Sequence, residues 1–228
     1  MTTINSHRTA ARAFGIFFIL AFLSYGTGSG IIDSITNAPD MLSNVYANQT
    51  TLVWGVILMA IVHSFVNIGL MAILLPILKP FSKTVPYFSF GLGIAATIIL
   101  VVGAIFLLML IPLSAEYLTA GSENAALFSS IAAMLKNGGF VSYQIGMSLW
   151  GLGGLLYVAV LYKTRLIPRI VSLWGLVGYL IFFAGTIFEL FGNGSLYSTM
   201  PGGLFELFLS FWLIFKGFNT SQLKTAHS

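Results

Sequence analysis

The chain has 228 residues, of which 57% are apolar and 7% charged, against about 25% charged in an average soluble domain. Ten Lys and Arg, six Asp and Glu and three His cannot wet the outside of a water-soluble particle of this length, and a mean hydropathy of +0.96 places the chain in a lipid bilayer. The absence of cysteine excludes disulfide-stapled folds, thiolate metal sites and thiol nucleophiles, and the composition also excludes disorder, coiled coils and nucleic-acid partners.

Six apolar runs follow one another: Ala13–Ile32, Leu52–Leu78, Val85–Ala115, Phe140–Tyr162, Ile170–Phe191 and Pro201–Phe218. Each is near or above the roughly 20 residues that a helix rising ~1.5 Å per residue needs to cross a bilayer. A membrane barrel would alternate over about ten residues, and Ile94–Leu113 does not alternate. The expected fold is all-α: a six-transmembrane-helix bundle forming one domain over residues 1–228.

The first run, preceded by Arg8 and Arg12 and followed by small residues from Ser24 to Gly30, has the outline of a secretory signal. The apolar pattern continues through Ile31, Ile32 and Ile35, so we read a retained helix. Gly26, Gly28 and Gly30 read as a packing face, with a broken, cavity-lining helix as the alternative. Beyond the Asn37-Ala38-Pro39-Asp40 turn, residues 33–49 read as a connecting loop rather than a surface helix. In the second run His63 and Asn67 are four apart, hence on one helix face. Lys79-Pro80 ends that run, and Pro86 suits the first turn of the next. Residues 123–136 carry Ala126, Leu127, Ile131 and Leu135 at helical spacing but read as a second connecting loop, closed by Gly138-Gly139. Tyr143 and Gln144 lie about a turn inside the fourth run. Glu189 falls near the far end of the fifth, and Glu206 about a turn and a half into the sixth.

An ungapped comparison pairs Gly69 with Gly151, Pro86 with Pro168, Gly93 with Gly175, and Gly103 with Gly185, while Lys83 meets Arg165. The two hairpins would run in the same direction, giving a parallel repeat of helices two and three by helices four and five.

Charge sets the expected orientation. Arg8, Arg12, Lys79, Lys83, Lys163, Arg165, Arg169, Lys216 and Lys224 all fall on one side of the six runs, and Lys136 alone on the other. A multi-pass protein of the bacterial plasma membrane with both termini cytoplasmic is expected. Every carboxylate then falls in the outer half. An outward-facing polar cavity with Glu189, Glu206, Gln144, Tyr143, Asp33, His63 and Asn67 as its candidate ligand-binding residues is the best site the sequence offers. Singly, each has a structural explanation: His63 and Asn67 as interhelical hydrogen-bond partners, Glu189 reaching the headgroups, Glu206 protonated and bonded to a neighbour.

No His-Glu-x-x-His, Walker A or dinucleotide loop occurs, and residues 146–151 lack the tight serine turn of rhomboid-like proteases. No cofactor and no resident metal are expected. His63 with Glu189 and Glu206 has metal-ligand chemistry without a diagnostic spacing.

The Lys-Thr-Arg-Leu-Ile-Pro-Arg string at 163–169 followed by Ser-Leu-Trp-Gly-Leu-Val-Gly at 172–178, and Pro-Gly-Gly-Leu-Phe-Glu at 201–206 running into Phe-Trp-Leu-Ile-Phe-Lys-Gly-Phe at 211–218, carry a resemblance. Together with Asn37–Asp40 and Leu113–Tyr117 they resemble the bacterial integral-membrane family catalogued as domain of unknown function 4386, over essentially the whole chain. The resemblance implies a multi-pass plasma-membrane protein without an assigned activity. Members of that family often carry an Arg-x-x-Glu pair early in helix three, where this chain has Gly93 and Ala96, so no role of that pair carries over.

The expected partners are the lipid bilayer and a small-molecule ligand, with no nucleic acid and an open oligomeric state. The functional expectation is binding, sensing or transport of a small solute. The alternatives are an intramembrane enzyme using His63 with Glu189 or Glu206, and a structural or accessory subunit.

Overall fold

In lipid every backbone N–H and C=O must be bonded within its own segment, and the apolar runs satisfy this as helices. The computed structural model describes residues 2–120, 122–194, 196–219 and 221–223, among which no strand occurs. Lys224, the last cation of the orientation argument, lies outside the described residues.

Helix α1 (Thr2–Thr36) runs unbroken through the glycines after Ser24, so they do not divide it. Helix α2 (Met41–Ala47) replaces the loop expected there: the Asp40 carboxylate accepts from the Ser43 backbone N–H at 3.2 Å, capping the helix, and Leu42 and Val45 bury one face. Helix α3 (Gln49–Val56) passes through a π-helical turn (Ile57–Val62) into α4 (His63–Leu78). Helix α5 (Val85–Leu108) gives way at Met109 to α6 (Leu110–Thr119). Pro112 accounts for the break, because it offers no N–H to the Leu108 carbonyl and is tolerated only in the first turn of a new helix.

Helix α7 (Ala125–Thr164) begins at Ala125 rather than Phe140, which corrects the reading of residues 123–136 as a loop. Gly138 and Gly139 do not interrupt it. They are packing positions: a Cβ on Gly138 would lie 3.1 Å from the Phe106 ring, and one on Gly103 3.2 Å from the Gly139 carbonyl. Pro168 caps α8 (Arg169–Leu190), and a 3-10 turn (Leu196–Thr199) leads into α9 (Met200–Phe215), with Pro201 in its first turn. Six helical spans are long and apolar enough to cross a membrane: His7–Thr36, Gln49–Leu78, Val85–Thr119, Ala125–Thr164, Arg169–Leu190 and Tyr197–Phe215. The fold is an all-α six-helix bundle.

The chain gathers into two compact units, each with its own core. The first comprises the described residues of Met1–Ala21, Val66–Thr97 and Gln144–Ser228, and its core includes Phe14, Phe18, Leu70, Tyr157, Tyr179 and Phe205. The second comprises Phe22–Phe65 and Ile98–Tyr143 around Ile32, Val45, Leu52, Met59 and Leu110. Charge is divided between them. Arg8, Arg12, Lys79, Lys83, Lys163, Arg165, Arg169 and Lys216 belong to the first, whereas Asp33, Asp40, Glu116 and Glu123 belong to the second with Lys136.

Small residues carry close helix approach where lipid supplies no hydrophobic push. A Cβ on Gly28 would stand 2.6 Å from the Gly55 carbonyl oxygen and 2.7 Å from the Met59 nitrogen, both backbone atoms that cannot swing aside. Gly26, two residues away, faces open space. Gly28→Ala is therefore expected to cost about 1–3 kcal/mol by forcing α1 and α3 apart. Gly26→Ala should be neutral or stabilise by up to about 1 kcal/mol through helix propensity. Thermal melting of the two variants in detergent checks the contrast.

Candidate functional site

Glu206 sits on α9 a turn and a half after its start and is 5% exposed. Its Oε1 accepts two hydrogen bonds, from Trp150 Nε1 on α7 at 2.8 Å and from the Tyr179 hydroxyl on α8 at 2.6 Å. The Tyr157 hydroxyl, also on α7, lies 2.6 Å from that of Tyr179. A single carboxylate oxygen thus ties three helices, and Phe205 packs its ring against Tyr179 beside it. A second hydroxyl pair joins α7 to α8, where Ser148 donates to Thr186 Oγ1 at 2.9 Å. Gln144, one turn before Ser148, is buried with its Oε1 unpartnered.

The other carboxylate of this unit, Glu189, is half-buried and lies over the Gly192–Gly194 turn, where a Cβ on Gly194 would run into its side chain. Asn67 donates to Thr97 Oγ1 at 3.0 Å, and Thr97 donates back to the Gly93 carbonyl at 2.8 Å, tying α4 to α5. Its neighbour on the same helix face, His63, has a different partner. In the second unit the His63 ring stands edge-on to Tyr25 at 5.2 Å, and the Tyr143 ring lies tilted against Tyr25 at 5.6 Å. The π-helical turn ends immediately before His63, and such turns recur at functional sites.

The second unit also has a cleft of about 430 Å3 with a mainly polar lining, formed by Thr36, Asp40, Met41, Leu42, Tyr117 and Ser129 among others. Thr36 is 3% exposed, and its Oγ1 has no hydrogen-bond partner. The Lys136 ammonium donates to the Thr36 carbonyl and to Asn37 Oδ1, fixing the end of α1 beside the cleft. Asp33 is exposed on α1 and takes the Ser29 hydroxyl at 3.3 Å.

The seven residues singled out in the sequence therefore fall into separate groups. His63 and Tyr143 share Tyr25, Asn67 is bonded to Thr97, Glu206 to Trp150 and Tyr179, and Asp33 to Ser29, while Glu189 lies over the Gly192–Gly194 turn. Among the described residues no three His, Asp or Glu side chains gather as metal ligands. The partners of Glu206 and the cleft residues were not singled out. One signal pointed to the former, since a buried Trp or Tyr needs a partner for its N–H or O–H.

The family described as Domain of unknown function (DUF4386) matches residues 13–217, and the chain belongs to that family. No curated protein and no solved structure matches the chain.

Glu206→Leu would orphan the Trp150 N–H and the Tyr179 O–H, at an expected cost of about 1–3 kcal/mol. Glu206→Gln keeps an oxygen able to accept from both and should retain most of the stability. Thermal unfolding of the two variants in one detergent distinguishes a helix tie, in which Gln outlasts Leu, from a wet cavity carboxylate, in which Leu is at least as stable as wild type.

Proposed function

We propose that this protein is a multi-pass plasma-membrane protein that binds a small polar solute from the outer face, in the cleft beside Thr36. One observation carries the reading: Asp40, Tyr117 and Ser129 line one cleft together with Thr36, whose buried hydroxyl has no partner among the described residues. An unmet buried hydroxyl is costly, and a solute whose entry into the cleft brings a polar group within its reach recovers that cost. The volume falls in the range of small-molecule sites, which run from about 300 to 1,000 Å3.

The surroundings suggest the ligand's chemistry. Asp40 presents a carboxylate and Ser129 and Tyr117 present hydroxyls, a set that suits a solute with an amine or several hydroxyls. The cation distribution supports an outer position, because the cleft residues lie in the loops and helix ends that carry Asp33, Asp40, Glu116 and Glu123. Glu206, by contrast, has its Oε1 occupied by two protein donors, so it is less suited to hold a solute.

Thr36→Val keeps the shape and removes the hydroxyl. Asp40→Asn removes the charge and leaves an equally good helix cap. Without ligand, Asp40→Asn should melt within about 0.5 kcal/mol of wild type, and Thr36→Val, which removes the unmet hydroxyl, at or above wild type. Thermal shift of the purified protein against a panel of amino acids, polyamines and polyols is expected to show at least one class that stabilises wild type and loses its effect in both variants. No stabilising class, or an equal response in Thr36→Val, contradicts the reading.

A further inference from the structure

At the end of the first unit where α7 passes into α8 and α9 terminates, a second cleft of about 600 Å3 opens. Arg165, Arg169 and Lys216 line it together with Trp212, Ile167 and Phe218. The sequence holds no carboxylate between Glu123 and Glu189 and none after Glu206, and the cleft lining contains none, so its three charges are not balanced by its own wall. Arg12 adds a fourth cation to this end, its Nε donating to the Ile214 carbonyl two residues before Lys216. Arg169 is steadied over the Tyr162 ring at 5.5 Å.

Backbone conformation adds an independent observation. Arg165, immediately after α7, has φ of 55°, in the left-handed region that Gly adopts at the ends of helices without cost. Gly217 does take that role at the end of α9, with φ of 74°. A long cationic side chain held where glycine would be easier is strain retained for something the side chain does. Apart from Asn219 the remaining lining is apolar, and Ile170 and Phe215, next in sequence to Arg169 and Lys216, are more than two-thirds exposed at 74% and 71%, as side chains facing lipid tails would be.

Three cations with no carboxylate partner among the described residues, above a largely apolar wall in a membrane protein, match an amphiphile with an anionic head. We propose that this cleft binds an anionic phospholipid, with its phosphate held by Arg165, Arg169 and Lys216 and its glycerol and first acyl carbons lying against Trp212 and Ile167. Arg165 is the geometric key, because it enters the cleft from the α7–α8 turn while Lys216 enters from the end of α9. On the orientation expected from the cations, the site faces the cytoplasmic leaflet. It is independent of the solute cleft, which lies in the other unit.

The test uses the full chain in maltoside micelles and reads retained lipid by native mass spectrometry, with thermal shift alongside. The probes are dioleoyl-phosphatidylglycerol, dioleoyl-phosphatidylcholine and inorganic phosphate. Phosphatidylglycerol should bind and stabilise, weakening as salt rises, while phosphatidylcholine and phosphate do neither. Arg165→Gly and Lys216→Gln should each weaken phosphatidylglycerol binding about fivefold. Arg165→Gly should melt no lower than wild type without lipid, since it relieves the left-handed strain, and Lys83→Gln, at a residue that does not line the cleft, should bind as wild type does. Equal retention of phosphatidylcholine would show only an acyl groove, and stabilisation by phosphate would show a free-anion site. Either result, or unchanged binding in both Arg165→Gly and Lys216→Gln, overturns the proposal.

Discussion

A polar group in hydrocarbon has no water to fall back on, and this constraint organises the protein at every level. The backbone meets it by forming helices. Side chains inside the spans meet it by pairing across helices: Glu206 with Trp150 and Tyr179, Tyr157 with Tyr179, Asn67 with Thr97, and Ser148 with Thr186. These bonds serve as geometric pins. Each contributes modestly in a membrane, on average about 0.6 kcal/mol, yet each fixes which helix faces which. Two buried side-chain oxygens among the described residues lack a partner, Gln144 Oε1 and the Thr36 hydroxyl, and Thr36 is the one that lines the polar cleft of the second unit.

The spans were legible in the sequence because their signal is local: enough consecutive apolar residues to cross a bilayer, closed by Pro, Gly and charge. Helix existence and order followed from that. Where the reading failed, two meanings of one residue type competed. Gly138-Gly139 has the form of a break between helices, but both glycines lie inside α7 against Phe106 and Leu107. The Asp40 cap and the Leu42/Val45 face of α2 were present in the sequence but too short to outweigh the Ala-Pro turn beside them.

The site was far less legible, because partnership in a bundle is non-local. Trp150 and Tyr179 are 56 and 27 residues from Glu206, and nothing in a helical period relates them. His63 and Asn67 share a helix face, yet one meets Tyr25 and the other Thr97, since one face of a long helix passes several neighbours. Thr36, Tyr117 and Ser129 come together from three segments, and no spacing rule would have gathered them. Charge does gather distant segments: Arg8, Arg12, Lys79, Lys83, Lys163, Arg165, Arg169 and Lys216 lie in the first unit, and four of the six carboxylates lie in the second.

The central claim, that the cleft beside Thr36 is open to the outside and takes a solute, is tested most directly at Ser129, an exposed cleft residue in a chain without cysteine. A Ser129→Cys protein in intact cells would be treated with a membrane-impermeant thiol reagent, with and without a solute that stabilises the purified protein. The account predicts labelling from outside that slows as the solute is added. Labelling only after the membrane is broken, or labelling indifferent to the solute, would contradict it.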